Sequence, residues 1–189
     1  MERILDEYQP IEQTRFRKNF SCTGNIQAVT RLIERSREYR LPLALLFVDY
    51  KKAFDSVEIN AVSNALAQAR VDPAYVHLLE QCLSNTSTSI QLFERKLKIP
   101  VEKRVRQGDT ISPELFTAAL QYAMLNLDCE ERGYSVNGKN VNNLRSADDI
   151  VLISSNTAEM GKMVNELNAV SQRIGSEISM SKTPLIVNK

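Results

Sequence analysis

The sequence has no tryptophan, one histidine and few residues that break or staple a chain: 3 Cys, 6 Gly and 6 Pro in 189 residues. Each shortage excludes something. A lone His77 rules out a histidine-rich metal site within the chain. Cys22, Cys82 and Cys129 are odd in number and lack CxxC spacing, which argues against a disulfide framework and favours a reducing compartment. No apolar run is long enough to span a bilayer, so no membrane partner is expected. Met1 leads directly into Glu2, Arg3, Asp6 and Glu7, which does not read as a signal peptide. An excess of one charge is missing as well. The 24 basic and 23 acidic residues leave a net charge of +1, so any affinity for nucleic acid has to be local. There is no internal repeat, low-complexity tract or clear linker.

What is present suits a globular domain. The chain is 43% hydrophobic and 25% charged, enough for a real core. Residues 1–10 read as a short helix ended by Pro10. A helix from Ser21–Gly24 to about Arg40 carries Ile26, Val29, Leu32 and Ile33 on one face. Residues 43–49 form a continuous apolar run, best read as a buried strand. Ser56 is expected to cap a helix over 57–70, and Asp72-Pro73 to open another. Residues 86–105 alternate as a hairpin around Pro100. Ser112-Pro113-Glu114 starts a helix with a deeply apolar stripe through Leu127. Asn137-Gly138 marks a turn, and 141–154 a second hairpin. Thr157 should cap a helix ended by Gly175, with short strands over 176–180 and 184–188. Helices mixed with hairpins predict an α+β fold with a mostly antiparallel sheet.

Asp148-Asp149 is the feature that carries chemistry. Adjacent carboxylates repel, and Asp is a poor strand former, yet the pair opens the apolar run Ile150–Ile153. Asp49 ends the other apolar run in a matching way. Two strands ending in aspartate can gather three carboxylates around divalent cations. Phosphoryl transfer needs that kind of charge neutralisation and positioning, and magnesium prefers such hard oxygen donors. Each residue has a plainer reading as a turn cap. A local basic stretch over 94–106 holds Arg95, Lys96, Lys98, Lys103, Arg104 and Arg106. It is either a solvated hairpin face or a phosphate contact.

Four motifs in order then resemble reverse transcriptases. The run Phe47-Val48-Asp49-Tyr50-Lys51-Lys52-Ala53-Phe54-Asp55 is similar to their first catalytic motif. Arg106-Gln107-Gly108-Asp109 through Ser112-Pro113 looks like the next, Ala147-Asp148-Asp149 like the catalytic turn, and Gly175 through Lys182-Thr183 like the one after. The wording is closest to non-LTR retrotransposons of the LINE type, with an RTE-like cast. The resemblance implies a polymerase palm over 41–189, an antiparallel sheet packed on helices, with a partial fingers segment over 1–40 and no thumb or endonuclease. It implies RNA-directed DNA synthesis with two Mg²⁺ ions, or Mn²⁺ in their place. Asp49, Asp148, Asp149 and the Tyr50 carbonyl would serve as ligands. Lys52, Ala53, Phe54, Gln107, Gly108 and Lys182 would meet the incoming dNTP. Phe54 would block a ribose 2′-hydroxyl, and Lys182 would protonate the departing pyrophosphate. Arg15, Arg17, Lys18, Arg104, Arg106 and Ser146 would contact the RNA template and DNA primer. Cytoplasmic and nuclear residence follows from the same likeness.

The match has departures. Ser146 replaces the aromatic residue usual before Ala-Asp-Asp, at a loss of about 1.5–3 kcal/mol of apolar burial if the position is enclosed. Ser179 stands where Asn is frequent, and Pro184 interrupts the last strand pattern. The alternatives to an active polymerase are a catalytically silent retroelement relic that at most binds nucleic acid, and an unrelated ferredoxin-like α+β domain. A cyclase-type palm is disfavoured by Phe54.

Overall fold

The computed structural model describes residues 1–17, 20–83, 86–93, 95–101, 111–125, 127, 132–136 and 138–188. Its centre is β1 (Ala44–Val48), whose apolar residues are almost all buried. A strand buried on both faces needs cover on both, and this one has it. Strand β6 (Asn143–Ser146) and β7 (Asp149–Ser154) form a hairpin, and β8 (Leu185–Val187) lies on the far side. The sheet order is β6-β7-β1-β8. All three pairings are antiparallel, with Phe47 opposite Val151 and Val48 opposite Ile150. The α+β expectation holds.

Because side chains alternate across a strand, the sheet has two apolar faces. Leu46, Val48, Ile150 and Leu152 point into the main core. That core is roofed by three helices: α4 (Ile59–Gln68), α6 (Ser112–Met124) and α7 (Thr157–Arg173). Leu115, Phe116, Ala119 and Leu120 of α6 are fully enclosed, as their spacing predicts. Leu5 of α1 (Glu2–Tyr8) joins the same core. Leu45, Phe47, Val151 and Ile153 face the other way, against Val29, Leu32 and Ile33 of α2 (Cys22–Glu38). Ile26, expected on that inward face, is instead 65% exposed at the mouth of a groove. Helix α5 (Pro73–Leu83) begins as predicted, with Asp72 Oδ1 accepting the Ala74 N–H at 2.8 Å. Two small hairpins stand outside the sheet: β2 (Thr86–Leu92) with β3 (Arg95–Val101), and β4 (Tyr134–Val136) with β5 (Lys139–Val141).

Three local expectations change. The helix predicted over 57–70 is the shorter α4, and a separate short helix that was not expected, α3 (Ala53–Ser56), precedes it. Ser56 does not cap α4, because its hydroxyl donates back to the Ala53 carbonyl at 2.9 Å. Asn156 rather than Thr157 caps α7, accepting the Ala158 N–H. The strand expected over 176–180 shrinks to one bridge between Tyr50 and Ile178, followed by a 3₁₀ turn at Met180–Lys182. The Thr183 hydroxyl donates to the Ser179 carbonyl at 2.9 Å and holds that turn closed.

Candidate active site at the end of the central strands

The aspartates meet because β1 and β7 run antiparallel, so the end of one lies beside the start of the other. Carrying the register one residue past Val48 and Ile150 sets Asp49 opposite Asp149. By alternation both carboxylates belong to the face that carries Phe47 and Val151. Asp148 is the second central residue of the two-residue turn between β6 and β7, where Ser146 pairs with Asp149. Ala147 before it has φ +59°. That places the turn among those with a left-handed first central residue, which suit the twist of a tight hairpin but favour glycine there.

Burial is the main cause that pushes the Asp148 carboxyl above its ordinary range; the charges of Asp149 and Asp49 push the same way, while Arg15 opposes them. Like charges held together in this manner invite a cation. Among the described residues no three carboxylate, thiol or imidazole groups are tight enough to cage an ion alone. A set of aspartates plus a carbonyl suits magnesium, which keeps much of its shell for water and phosphate oxygens. The carbonyl is available. In the Tyr50–Ile178 bridge the Ser179 N–H donates to Asp49 O at 2.7 Å and the Lys51 N–H to Glu177 O at 2.8 Å. Tyr50's own backbone groups are left out of that bridge, and they alternate toward the β7 side. Its ring points down into the core, where its hydroxyl meets Ser171 Oγ at 2.8 Å and burial raises its pKa to about 12.

After β1 the chain turns sharply. Lys52 takes a left-handed conformation, φ +50°, and remains exposed, while Ala53 is buried at the start of α3. That turn sets the half-buried Phe54 on Phe116, ring centroids 4.6 Å apart at 39°. Phe116 is wholly enclosed, so the Phe54 ring rests on a fixed floor. Lys182 is exposed at the end of the 3₁₀ turn, next to Thr183, whose hydroxyl accepts the Asp49 N–H at 3.4 Å.

The basic residues separate. Arg15 is exposed and lines a groove of about 510 Å³ together with Asp149, Ser146, Phe47, Val151 and Ile26. Arg17 is turned inward: its guanidinium donates to Pro10 O and Asp6 Oδ1 and lies 4.1 Å from the Phe20 ring centroid. Ser146 Oγ sits 3.0 Å from Cys22 Sγ at the start of α2. Lys18, Arg104, Arg106, Gln107 and Gly108 lie outside the described residues.

Sequence reasoning missed a layer beneath the hairpin. Gln13 is buried and pairs in parallel with Arg145 on β6. The Arg145 carbonyl accepts from the Thr14 N–H, the Thr14 hydroxyl and Asn25 Nδ2. The Arg145 side chain enters the main core and donates to Gln121 Oε1 at 2.9 Å, and burial lowers its pKa to about 10, leaving it charged at neutral pH. A polar run at 11–18 with two arginines reads as surface. Its one legible signal was Gln13-Thr14, uncharged residues ahead of the basic cluster.

Comparison with known proteins bears on this arrangement. All of the chain, residues 1–189, matches the family model described as reverse transcriptase (RNA-dependent DNA polymerase). The chain is 26% identical over 159 residues to the retrovirus-related Pol polyprotein from type-1 retrotransposable element R2 of Nasonia vitripennis, covering 84% of this chain and 15% of that protein. For the polyprotein of the same description from Bradysia coprophila the values are 27% over 163 residues, 86% and 18%. The chain therefore spans less than a fifth of the length of these relatives. Among solved structures it is similar to apo telomerase from Candida tropicalis, with TM-score 0.71 at 14% identity over 100% of this chain and 36% of that one. A form of that telomerase truncated from its C-terminal domain gives 0.66 over 94% and 36%. At such identity the likeness carries the fold alone, and the fold is that of a polymerase. The relatives it resembles are polyproteins of R2 retrotransposable elements, and the chain itself belongs to the reverse transcriptase (RNA-dependent DNA polymerase) family.

Proposed function

We propose that this chain is the catalytic palm of an RNA-directed DNA polymerase, adding deoxynucleotides to a primer 3′-end on an RNA template. The observation that carries this is the junction of β1 with the β6–β7 hairpin, where Asp49, Asp148 and Asp149 share one end of the sheet and the charges of Asp149 and Asp49 help to hold the buried Asp148 carboxyl above its ordinary range. Asp49 and Asp148, with the Tyr50 carbonyl, would hold two Mg²⁺ ions, or Mn²⁺, with Asp149 beside them. Bound there, the ions would activate the primer hydroxyl and stabilise the leaving pyrophosphate.

The chain's own residues do the rest. The backbone at Lys52 and Ala53 cradles the triphosphate where the strand turns into α3. The Phe54 ring, held from below by Phe116, occupies the space a ribose 2′-hydroxyl would need. The resemblance assigns Gln107 and Gly108, outside the described residues, to the incoming nucleotide as well, where a glycine would allow close backbone approach. Lys182 stands at the rim as an ammonium able to give a proton to pyrophosphate. Arg15 and Ser146 line the groove next to Asp149, where the primer–template would lie. Lys18, Arg104 and Arg106, by the same resemblance, would add phosphate contacts, which give affinity without reading sequence. Arg17 braces the segment that carries Arg15. The Candida tropicalis telomerase, similar in fold, has been solved in complex with a fragment of telomeric RNA, which supports RNA as a ligand of this fold.

Primer extension on an RNA template tests the reading. Mg²⁺-dependent product that disappears in Asp148→Ala is the expected result; no product, or product unchanged by the substitution, refutes it. One observation favours a second reading, that of a silent relic. Ser146 lines the groove beside Asp149 at the position where the resemblance leads one to expect an aromatic ring. Salt-dependent binding to primer–template with no extension would establish that alternative.

A further inference from the structure

The Ala147 N–H lies in the catalytic turn, outside the β6–β7 pairing, which ends at Ser146 and Asp149. It is nevertheless bonded. Gln13 Oε1 accepts it at 3.0 Å, and the same oxygen accepts the Arg15 N–H at 3.3 Å. Gln13 is 1% exposed, so this oxygen is held out of water and has no competing solvent partner. One atom therefore joins the turn bearing Asp148 to the residue whose guanidinium acts on Asp148 from the groove.

The backbone around Gln13 is equally fixed. The Arg145 N–H donates to Glu12 O at 2.8 Å and the Thr14 N–H to Arg145 O at 3.0 Å, which bonds residues 12–14 to the β6 edge through a single parallel bridge at Gln13. Asn25 of α2 reaches the same Arg145 carbonyl at 2.9 Å. The hairpin cannot slide or lift without breaking these bonds. Ala147 needs such support, because its left-handed backbone persists only where the surroundings over-determine it.

We propose that Gln13 is a positioning residue for the reaction, setting the height of the Asp148–Asp149 turn and its offset from Arg15. This rests on the polymerase reading given above. The side chain has to be glutamine-like. Asparagine is one methylene too short to span from the bridge at the β6 edge to the turn, and methionine fills the volume but offers no comparable acceptor.

The test uses the full chain with Gln13→Met, Gln13→Asn and Gln13→Glu. Hydrogen exchange at the Ala147 amide is the first readout. It should accelerate at least tenfold in Gln13→Met and Gln13→Asn, and stay slow in Gln13→Glu, which keeps an acceptor at the same reach. The second readout is primer extension. Misplacing a reacting group by an ångström costs up to about a hundredfold, so kcat should fall between about tenfold and a hundredfold in Gln13→Met. The half-saturating Mg²⁺ concentration should rise, with primer–template affinity unchanged. A residue that merely helps folding would lower the active fraction and leave the Mg²⁺ midpoint where it was, which overturns the proposal. Unchanged Ala147 exchange in both Gln13→Met and Gln13→Asn also overturns it. If Gln13→Met does not fold, Gln13→Asn decides by the same two measurements. Should wild type extend no primer, the polymerase reading fails by itself, while Ala147 exchange still decides whether Gln13 holds the turn.

Discussion

Replacing Gly175 with alanine puts a single methyl group where the chain has no room for it. Gly175 follows α7 with φ +85°, and a Cβ there would stand 2.5 Å from the Ser56 carbonyl oxygen and 2.8 Å from Glu58 Cγ. The first of these is backbone, so it cannot swing aside. The contact is also tied at its edges: the Glu58 N–H donates to Ile174 O at 2.9 Å, and Ser56 Oγ meets Ser176 Oγ at 3.2 Å. The left-handed backbone costs alanine about 1–2 kcal/mol, and overpacking against a fixed chain about 1–3 kcal/mol more. The expected loss is thus about 2–5 kcal/mol, a large share of the roughly 5–15 kcal/mol that holds a domain folded. Urea unfolding checks it: the midpoint should fall while the slope is kept. Gly161 is the control. It lies inside α7, where an added methyl group would meet nothing within 4 Å, and Gly161→Ala should stabilise by about 0.5–1 kcal/mol. Because Ser56 closes α3, Gly175→Ala should also raise KM for dNTP by displacing Phe54. A Gly175→Ala chain that unfolds at the wild-type midpoint would refute the packing argument.

Phe54→Val should relax sugar selection, raising kcat/KM for ribonucleotides relative to deoxynucleotides by at least about tenfold, since the ring on Phe116 is the proposed steric stop; an unchanged ratio would remove Phe54 from that role. The Tyr50 hydroxyl, raised from 10.0 to about 12 chiefly by burial, loses its proton first in the unfolded chain. Its contribution is therefore complete below pH 10 and lost as pH rises toward 12, about 2–3 kcal/mol over that window. Alkaline unfolding followed by tyrosinate absorbance should show the slope, and Tyr50→Phe should flatten it while costing about 0.5–1.5 kcal/mol at neutral pH through the lost Ser171 bond.

Much of this was legible from the residues because the period of each segment agreed with its surroundings. The run 44–48 and the run 150–153 could only be buried strands, and antiparallel pairing then had to bring Asp49 to the Asp148–Asp149 turn. The α6 stripe was readable for the same reason. What escaped were features decided by contact rather than period. Ser56 looked like a cap until its hydroxyl turned back on Ala53. Residues 176–180 looked like a strand, yet β1 ends at Val48 and leaves only the Tyr50–Ile178 bridge for them. The bonds from Thr14 and Gln13 to the hairpin join residues 131 and 134 apart in sequence, and no local pattern announces a pairing at that distance. Arg145 is the hardest case: a charged residue in a strand reads as solvent-facing, whereas its register opposite Ile150 drives it into the core.

The two margins of the sheet are treated unequally. The β6 margin is covered by residues 12–14, whereas among the described residues β8 has β1 on one side only, and its Leu185, Ile186 and Val187 remain 48%, 54% and 45% exposed. A short apolar margin with free backbone groups is a template for one more strand. Among the described residues the sheet is therefore open to a further strand at β8, so that recruitment of a strand there, or self-association of the chain at high concentration, would leave the bonds from Gln13 and Thr14 to the β6–β7 hairpin undisturbed.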